Sequence, residues 1–138
     1  MKIDSFKGKY FFLSNFYVAD VEYNGIKYSN NEAAFQAQKC PERAKEFSTL
    51  DPSTAKRKGR KIKLRSDWEN VKYGIMFDIV VAKFKQNPEL LDKLIKTGTA
   101  QLVEGNTWGD TTWGVYRHKG KNYLGRILMQ VRTMLGGK

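Results

Sequence analysis

Apolar residues in the last stretch of the chain, "NYLGRILMQVRTML", return at helical spacing. Leu124, Ile127, Leu128, Val131, Met134 and Leu135 fall on one stripe, which predicts a core helix. A longer pattern runs from Trp68 to Lys85, with Asp67 placed as its N-cap. There Trp68, Val71, Ile75, Ile79 and Ala82 form one apolar line, and Tyr73, Phe77, Val80 and Phe84 form a second. So wide an arc predicts a helix buried on most sides. "NPELLDKLIKTG" has Pro88 just inside its start and Gly98 just past its end, as a short helix requires.

The periodicity is different nearer the N-terminus. "VEYNGIKY" sets Asn24-Gly25 between two runs rich in Val, Ile and Tyr, which predicts a hairpin with a type I′ turn. Ser29 or Asn30 can cap the helix that follows, where Ala33, Ala34 and Ala37 favour helical backbone. Pro41 ends that helix or opens another. From Cys40 to Trp68 the pattern reads as two short helices, broken near Asp51-Pro52 and again at Gly59. "AQLVEGNTWGDTTWGVY" reads as short extended runs with tight turns at Gly105, Gly109 and Gly114. The expected fold is α+β: one mainly helical domain over residues 1–138 with a few short strands.

Composition adds a partner class. The 138 residues fit one domain with a real core, and 41% of them are hydrophobic. Lys plus Arg number 25 against 14 acids, a formal charge of +11, which draws such a domain toward nucleic acid, nucleotides or anionic surfaces. Aromatics at 13% suit a tight core or a pocket that stacks on a flat ligand. Cys40 is the single cysteine, so no internal disulfide can form, and a cytoplasmic location is expected. "MKIDSFKGKY" lacks the apolar core of a signal peptide, and the longest apolar run is cut by Asp78 and Lys83, so no membrane partner is expected.

Four stretches can carry chemistry. In "NNEAAFQAQKC" the residues Glu32, Gln36 and Lys39 stand at i, i+4 and i+7 and share one helical face. That face is either the wet side of an amphipathic helix or a reaction centre. A carboxylate in a cleft stabilises a developing cation, and a desolvated lysine is a nucleophile or an anion clamp. In "NTWGDTTWGV" the carboxylate of Asp110 lies among Trp108 and Trp113, where it is a catalytic acid or the cap of a turn. "SNFY" offers Ser14, Asn15 and Phe16, an amide and an aromatic able to read and stack on a base, or else plain core. "KRKGRKIKLR", with Lys56, Arg57, Lys58, Arg60, Lys61, Lys63 and Arg65, can contact phosphates or be a solvated face. One histidine, His118 in a basic loop, and one distant cysteine make no metal-ligand pattern, and no cofactor is expected.

Taken together, these pieces resemble the YbiA/NADAR family. The resemblance rests on "FLSNFY" (Phe12–Tyr17), "YSNNEAAFQAQK" (Tyr28–Lys39), "KGRKI" (Lys58–Ile62), Trp68, Met76 and Lys83-Phe84. It continues through "LLDKLIKTGTAQLVEGN", Asp110, Trp113-Gly114 and "GKNYLGRILMQVR". The family often has a further glycine two residues after its WG pair, where this chain has Tyr116.

The resemblance implies hydrolysis of N-glycosidic bonds. Some members of the family act on phosphorylated riboflavin-pathway intermediates. Others remove ADP-ribose from guanine bases of nucleic acid, often encoded beside an ADP-ribosyltransferase toxin. It implies catalytic roles for Glu32, Lys39 and Asp110. Gln36 then positions by hydrogen bonding, Arg60 holds phosphate, and Trp68, Trp108 or Trp113 stacks on a base beside Gly114. Breaking a ribose–nitrogen bond builds oxocarbenium character at C1, which a carboxylate stabilises; a lysine can instead trap the opened sugar as a Schiff base. The competing expectations are a non-catalytic reader of ADP-ribose or nucleic acid, and general DNA binding through the Lys56–Arg65 run.

Overall fold

The structure, a computed structural model, describes residues 1–136. Its elements in chain order are β1 (Lys2–Ile3), a 3-10 helix (Gly8–Leu13), β2 (Val18–Tyr23), β3 (Ile26–Asn30), α1 (Asn31–Ala37) and a second 3-10 helix (Pro41–Phe47). There follow α2 (Pro52–Lys61), α3 (Trp68–Gln86), α4 (Pro88–Lys96), β4 (Gln101–Leu102) and α5 (Tyr123–Leu135). This is the expected mainly helical α+β fold with a few short strands. Among the described residues no helix is long and apolar enough to cross a membrane. The contacts divide the chain into two compact units, one of residues 15–87 and one of residues 1–14 with 88 onward.

In the unit of residues 15–87, β2 and β3 form an antiparallel hairpin in the register Tyr23 opposite Ile26 and Val21 opposite Tyr28. Asn24 and Gly25 take φ of 51° and 81° at its turn, as the Asn-Gly pair predicts. β3 runs straight into α1, and Oδ1 of Asn30 accepts from the backbone N–H of Ala33 at 2.7 Å. Such a cap contributes about 1 kcal/mol, and of the two candidates Asn30 fills the role. Every residue of α1 is buried. On one side Phe35 meets the indole of Trp68 at a centroid distance of 5.1 Å and a tilt of 51°. Burying such a ring contributes roughly 1.5–3 kcal/mol, so this pair fixes α1 against α3.

One expectation fails here and another holds in place only. Gly59 does not break a helix; it lies inside α2, which runs on to Lys61. Asp67 is the N-cap residue of α3, as expected, but its side chain makes no cap bond, because its carboxylate takes the guanidinium of Arg65 at 2.6 and 3.1 Å.

In the other unit β1 pairs with β4 in parallel, Ile3 opposite Leu102. α4 begins at Pro88, and Gly98 follows its end with φ of 65°, the asymmetry read from the sequence. α5 buries Leu124, Ile127, Leu128 and Val131. The stripe ends one turn early, since Met134 is 50% exposed. Asn122, just before α5, accepts from the N–H of Glu104 at 2.9 Å and donates to the carbonyl of Leu102 at 2.9 Å. One amide thereby continues the hydrogen bonding at the end of β4.

Candidate active site

The face of α1 that carries Glu32, Gln36 and Lys39 looks onto α2 rather than onto water. Glu32 and Gln36 are buried, and Nε2 of Gln36 donates to Oε2 of Glu32 at 2.7 Å. The rest of Gln36 lies against Gly59, where an added Cβ would collide with its Oε1 and Cδ. Any larger residue at that position would have to displace the amide. Lys39 follows in the tightened turn that closes α1, with its N–H on the carbonyl of Gln36 at 3.1 Å. Its Nζ reaches the carbonyl of Gly59 at 3.4 Å, one of the last-turn carbonyls of α2 that lack a helical partner. The three polar residues at i, i+4 and i+7 therefore form one polar strip, buried at Glu32 and Gln36 and half-buried at Lys39.

Electrostatics bear mainly on the lysine. Burial pushes the Lys39 ammonium below the ordinary lysine range; the charge of Glu32 opposes this, while Arg60, Lys56 and Lys72 reinforce it. A neutral amine is thus brought nearer to physiological pH beside a carboxylate. The same three cations provide positive field for an anionic ligand.

Other residues support this strip. The carbonyl of Asn15 accepts from the N–H of Glu32 at 3.0 Å, and its Nδ2 donates to the sulfur of Met76 at 3.4 Å. Asn15 thereby ties "SNFY" to the first turn of α1. The ring of Phe16 has the Lys56 ammonium 5.8 Å from its centroid. Arg60 is exposed on α2. Trp68 is 6% exposed, its ring held against Phe35 beneath α1. Cys40 is buried, with its thiol on a carboxylate oxygen of Glu42 at 2.7 Å, a bond that raises its pKa and suits a structural role.

The second candidate stretch lies in the other unit. Asn106 brackets Asp110, accepting its N–H at 3.0 Å and donating to its carbonyl at 2.9 Å. Oδ1 of Asp110 in turn accepts the N–H groups of Thr112 and Trp113 at 2.9 and 3.0 Å. The carboxylate thus caps the turn. Gly114 is buried where a Cβ would strike the carbonyl of Glu104, so the WG pair allows close backbone approach. Trp113 is half-buried, edge-on to Tyr123 at 6.0 Å, and Trp108 is 57% exposed. Ser14 ends the 3-10 helix of residues 8–13, its N–H on the carbonyl of Phe11 at 2.9 Å. In sum, Asn15, Phe16, Glu32, Gln36, Lys39 and Arg60 belong to one unit, and Trp108, Asp110, Trp113 and Gly114 share one turn of the other.

Two residues of the α1 region were not legible as site residues. Lys72 gives no motif, yet its charge reaches Lys39. Asn31 is 2% exposed, and neither side-chain polar atom has a hydrogen-bond partner among the described residues. Buried polar groups are normally satisfied, but the doubled asparagine of "NNE" gave no hint of which one caps the helix and which does not.

Known proteins resemble this chain along most of its length. The N-glycosidase YbiA of Escherichia coli (strain K12) is 40% identical over 128 residues, covering 88% of this chain and 79% of that one. A riboflavin biosynthesis protein of Vibrio vulnificus (strain YJ016) is 35% identical over 133 residues, covering 90% of this chain but 35% of its own length. The NMR structure of the E. coli protein YbiA superposes with a TM-score of 0.85 at 37% identity, covering 99% of this chain and 84% of that one. Such kinship over most of the chain supports a hydrolase acting on N-glycosyl bonds. With residues 4–136 matched, the chain belongs to the NADAR domain family.

Proposed function

We propose that this chain hydrolyses the bond between a ribose carbon and a base nitrogen, and that its substrate is ADP-ribosylated guanine in nucleic acid. The observation that carries the reading is the buried Glu32–Gln36 hydrogen bond beside a lysine whose pKa burial has lowered. Glu32, oriented by Gln36, stabilises positive charge as it develops at C1. Lys39, part of it neutral, adds its nitrogen lone pair to C1 of the ring-opened aminoribose. The C1–N bond to guanine then breaks, and the departing amine takes a proton. Water hydrolyses the Schiff base, returning the free amine of Lys39 and releasing ADP-ribose. Arg60, with Lys56, neutralises phosphate charge. Stacking on the base falls to Trp113 or Trp108, because Trp68 already lies against Phe35. Asp110 acts by holding the turn that presents Trp113. The +11 charge favours a polyanionic carrier of the modified base.

Chromatographic assay of ADP-ribose release from ADP-ribosylated guanosine DNA tests the reading. Release is expected, and its absence at micromolar enzyme removes the guanine substrate. The likeness to the Vibrio riboflavin biosynthesis protein favours a second reading, a phosphoribosyl aminopyrimidine as substrate. Turnover of that compound with none of the guanine adduct would select it. Tight ADP-ribose binding without turnover of either would mark a reader instead.

A further inference from the structure

A cleft of about 390 Å³ opens among β1, the segment after it and the loop between β4 and α5. Its lining includes Lys2, Lys7, Arg117 and His118, with Asn106 and Thr107 as neutral polar groups. Among the described residues of the lining, Asp4 is the one acid.

The way Arg117 and His118 are displayed is unusual. Tyr116 and Lys119 exchange both backbone hydrogen bonds, at 2.8 and 3.0 Å. Arg117 and His118 are the two corner residues between them, with φ of 52° and 66°. That is the left-handed pairing of a type I′ turn, which favours Asn-Gly. This chain uses Asn24-Gly25 for its other such turn. Two bulky residues in left-handed backbone carry strain, and such strain gathers at functional sites. Here the strained pair lines a cleft that two lysines also line.

We propose that this cleft binds backbone phosphates of the polynucleotide carrying the modified base, through residues other than those assigned to the sugar. The inference rests on the nucleic-acid reading above. Arg117 supplies a planar fork suited to phosphate, and Lys2 and Lys7 add point charges. The basic helix α2 is a poorer general contact, because Lys58 is paired with Glu46 and Arg57 donates to Thr54.

Anisotropy of a labelled, unmodified single-stranded oligonucleotide, titrated with the full chain at several salt concentrations, tests this without turnover. The variant Arg117→Asn with His118→Gly removes the guanidinium and the imidazole and installs the pair the turn prefers. It should melt at or above the parent temperature, bind the strand about tenfold more weakly at low salt, and lower the salt slope by about 1. Lys2→Gln with Lys7→Gln should weaken binding similarly. Both variants should still turn over free ADP-ribosylated guanosine at the parent rate. Unchanged affinity and slope in both variants would overturn the proposal. So would inorganic pyrophosphate displacing the strand at equal phosphate concentration, which would make the cleft a site for free phosphates. Loss of turnover in the parent would count against the hydrolase reading and leave the binding result standing.

Discussion

Gln36 and Gly59 occupy one space: the amide of Gln36 fills the position a Cβ of Gly59 would take, while its Nε2 holds Glu32 at 2.7 Å. The smallest residue of α2 therefore sets the orientation of the carboxylate on α1. Gly59→Ala should displace the amide, free the carboxylate and lower kcat by roughly tenfold or more. Alanine itself favours helix, so circular dichroism should still report a folded chain. Full activity in that variant would remove Gly59 from the positioning of Glu32.

Glu32 carries the charge-stabilising role. Glu32→Gln keeps the shape of the side chain and one acceptor oxygen for the amide of Gln36 but removes the negative charge. The expected loss in kcat is at least about 100-fold with KM little changed, the mark of an interaction made in the transition state. A rise in KM alone, measured by steady-state ADP-ribose release, would make Glu32 a binding group.

Much of this arrangement was legible in the sequence because it is local. The Asn24-Gly25 turn, the asparagine cap of α1 and the i, i+4, i+7 face each depend on residues within a few positions of one another. Gly59 was not legible. A glycine inside a helix looks like a breaker until its partner is known, and Gln36 lies 23 positions earlier in the chain. The role of Asp67 was lost to competition, since Arg65 two residues before it claims the carboxylate a cap would use. Lys72 reaches Lys39 only through tertiary packing.

Lys39 must lose its proton to act as a nucleophile. Because burial lowers its pKa, more of the amine is neutral at a given pH than in an ordinary lysine. The rate should rise with pH and level off below about 10.4, the value of a free lysine side chain. Borohydride added during turnover should fix the sugar to Lys39, seen as a mass increase on that residue, and Lys39→Ala should abolish both adduct and rate. A fully active Lys39→Ala with no adduct in the parent would leave the direct oxocarbenium route.

Asp110 separates capping from chemistry. Asp110→Asn keeps an oxygen for the N–H groups of Thr112 and Trp113, so the turn should hold and activity should stay within a few-fold of the parent. Asp110→Ala leaves those donors without their acceptor and should cost about 1 kcal/mol in urea unfolding, with weaker substrate binding as Trp113 loosens. A large kcat loss in Asp110→Asn at unchanged stability would show instead that the ionised carboxylate takes part in the reaction.

Lys83 sets the pH dependence of stability in a definite direction. It is 2% exposed on α3, with its ammonium 5.7 Å from the centroid of Tyr17 and 5.2 Å from that of Phe84. Burial pushes its pKa down to about 7. The unfolded chain keeps the ordinary value near 10.4. Between these two values the unfolded state holds a proton that the folded state has released, so stability rises with pH across the window. The slope is at most about 1.4 kcal/mol per pH unit. Below the folded value both states are protonated and the burial cost is felt in full. Lys83→Met fills a similar volume without the charge, so its urea unfolding energy should exceed the parent's most at neutral pH and below. The advantage should shrink as pH rises through the window and is lost only above about 10.4, where both states of the parent are neutral. Parallel stability profiles for the two proteins from pH 6 to pH 10 would show that burial of this ammonium does not govern the trend.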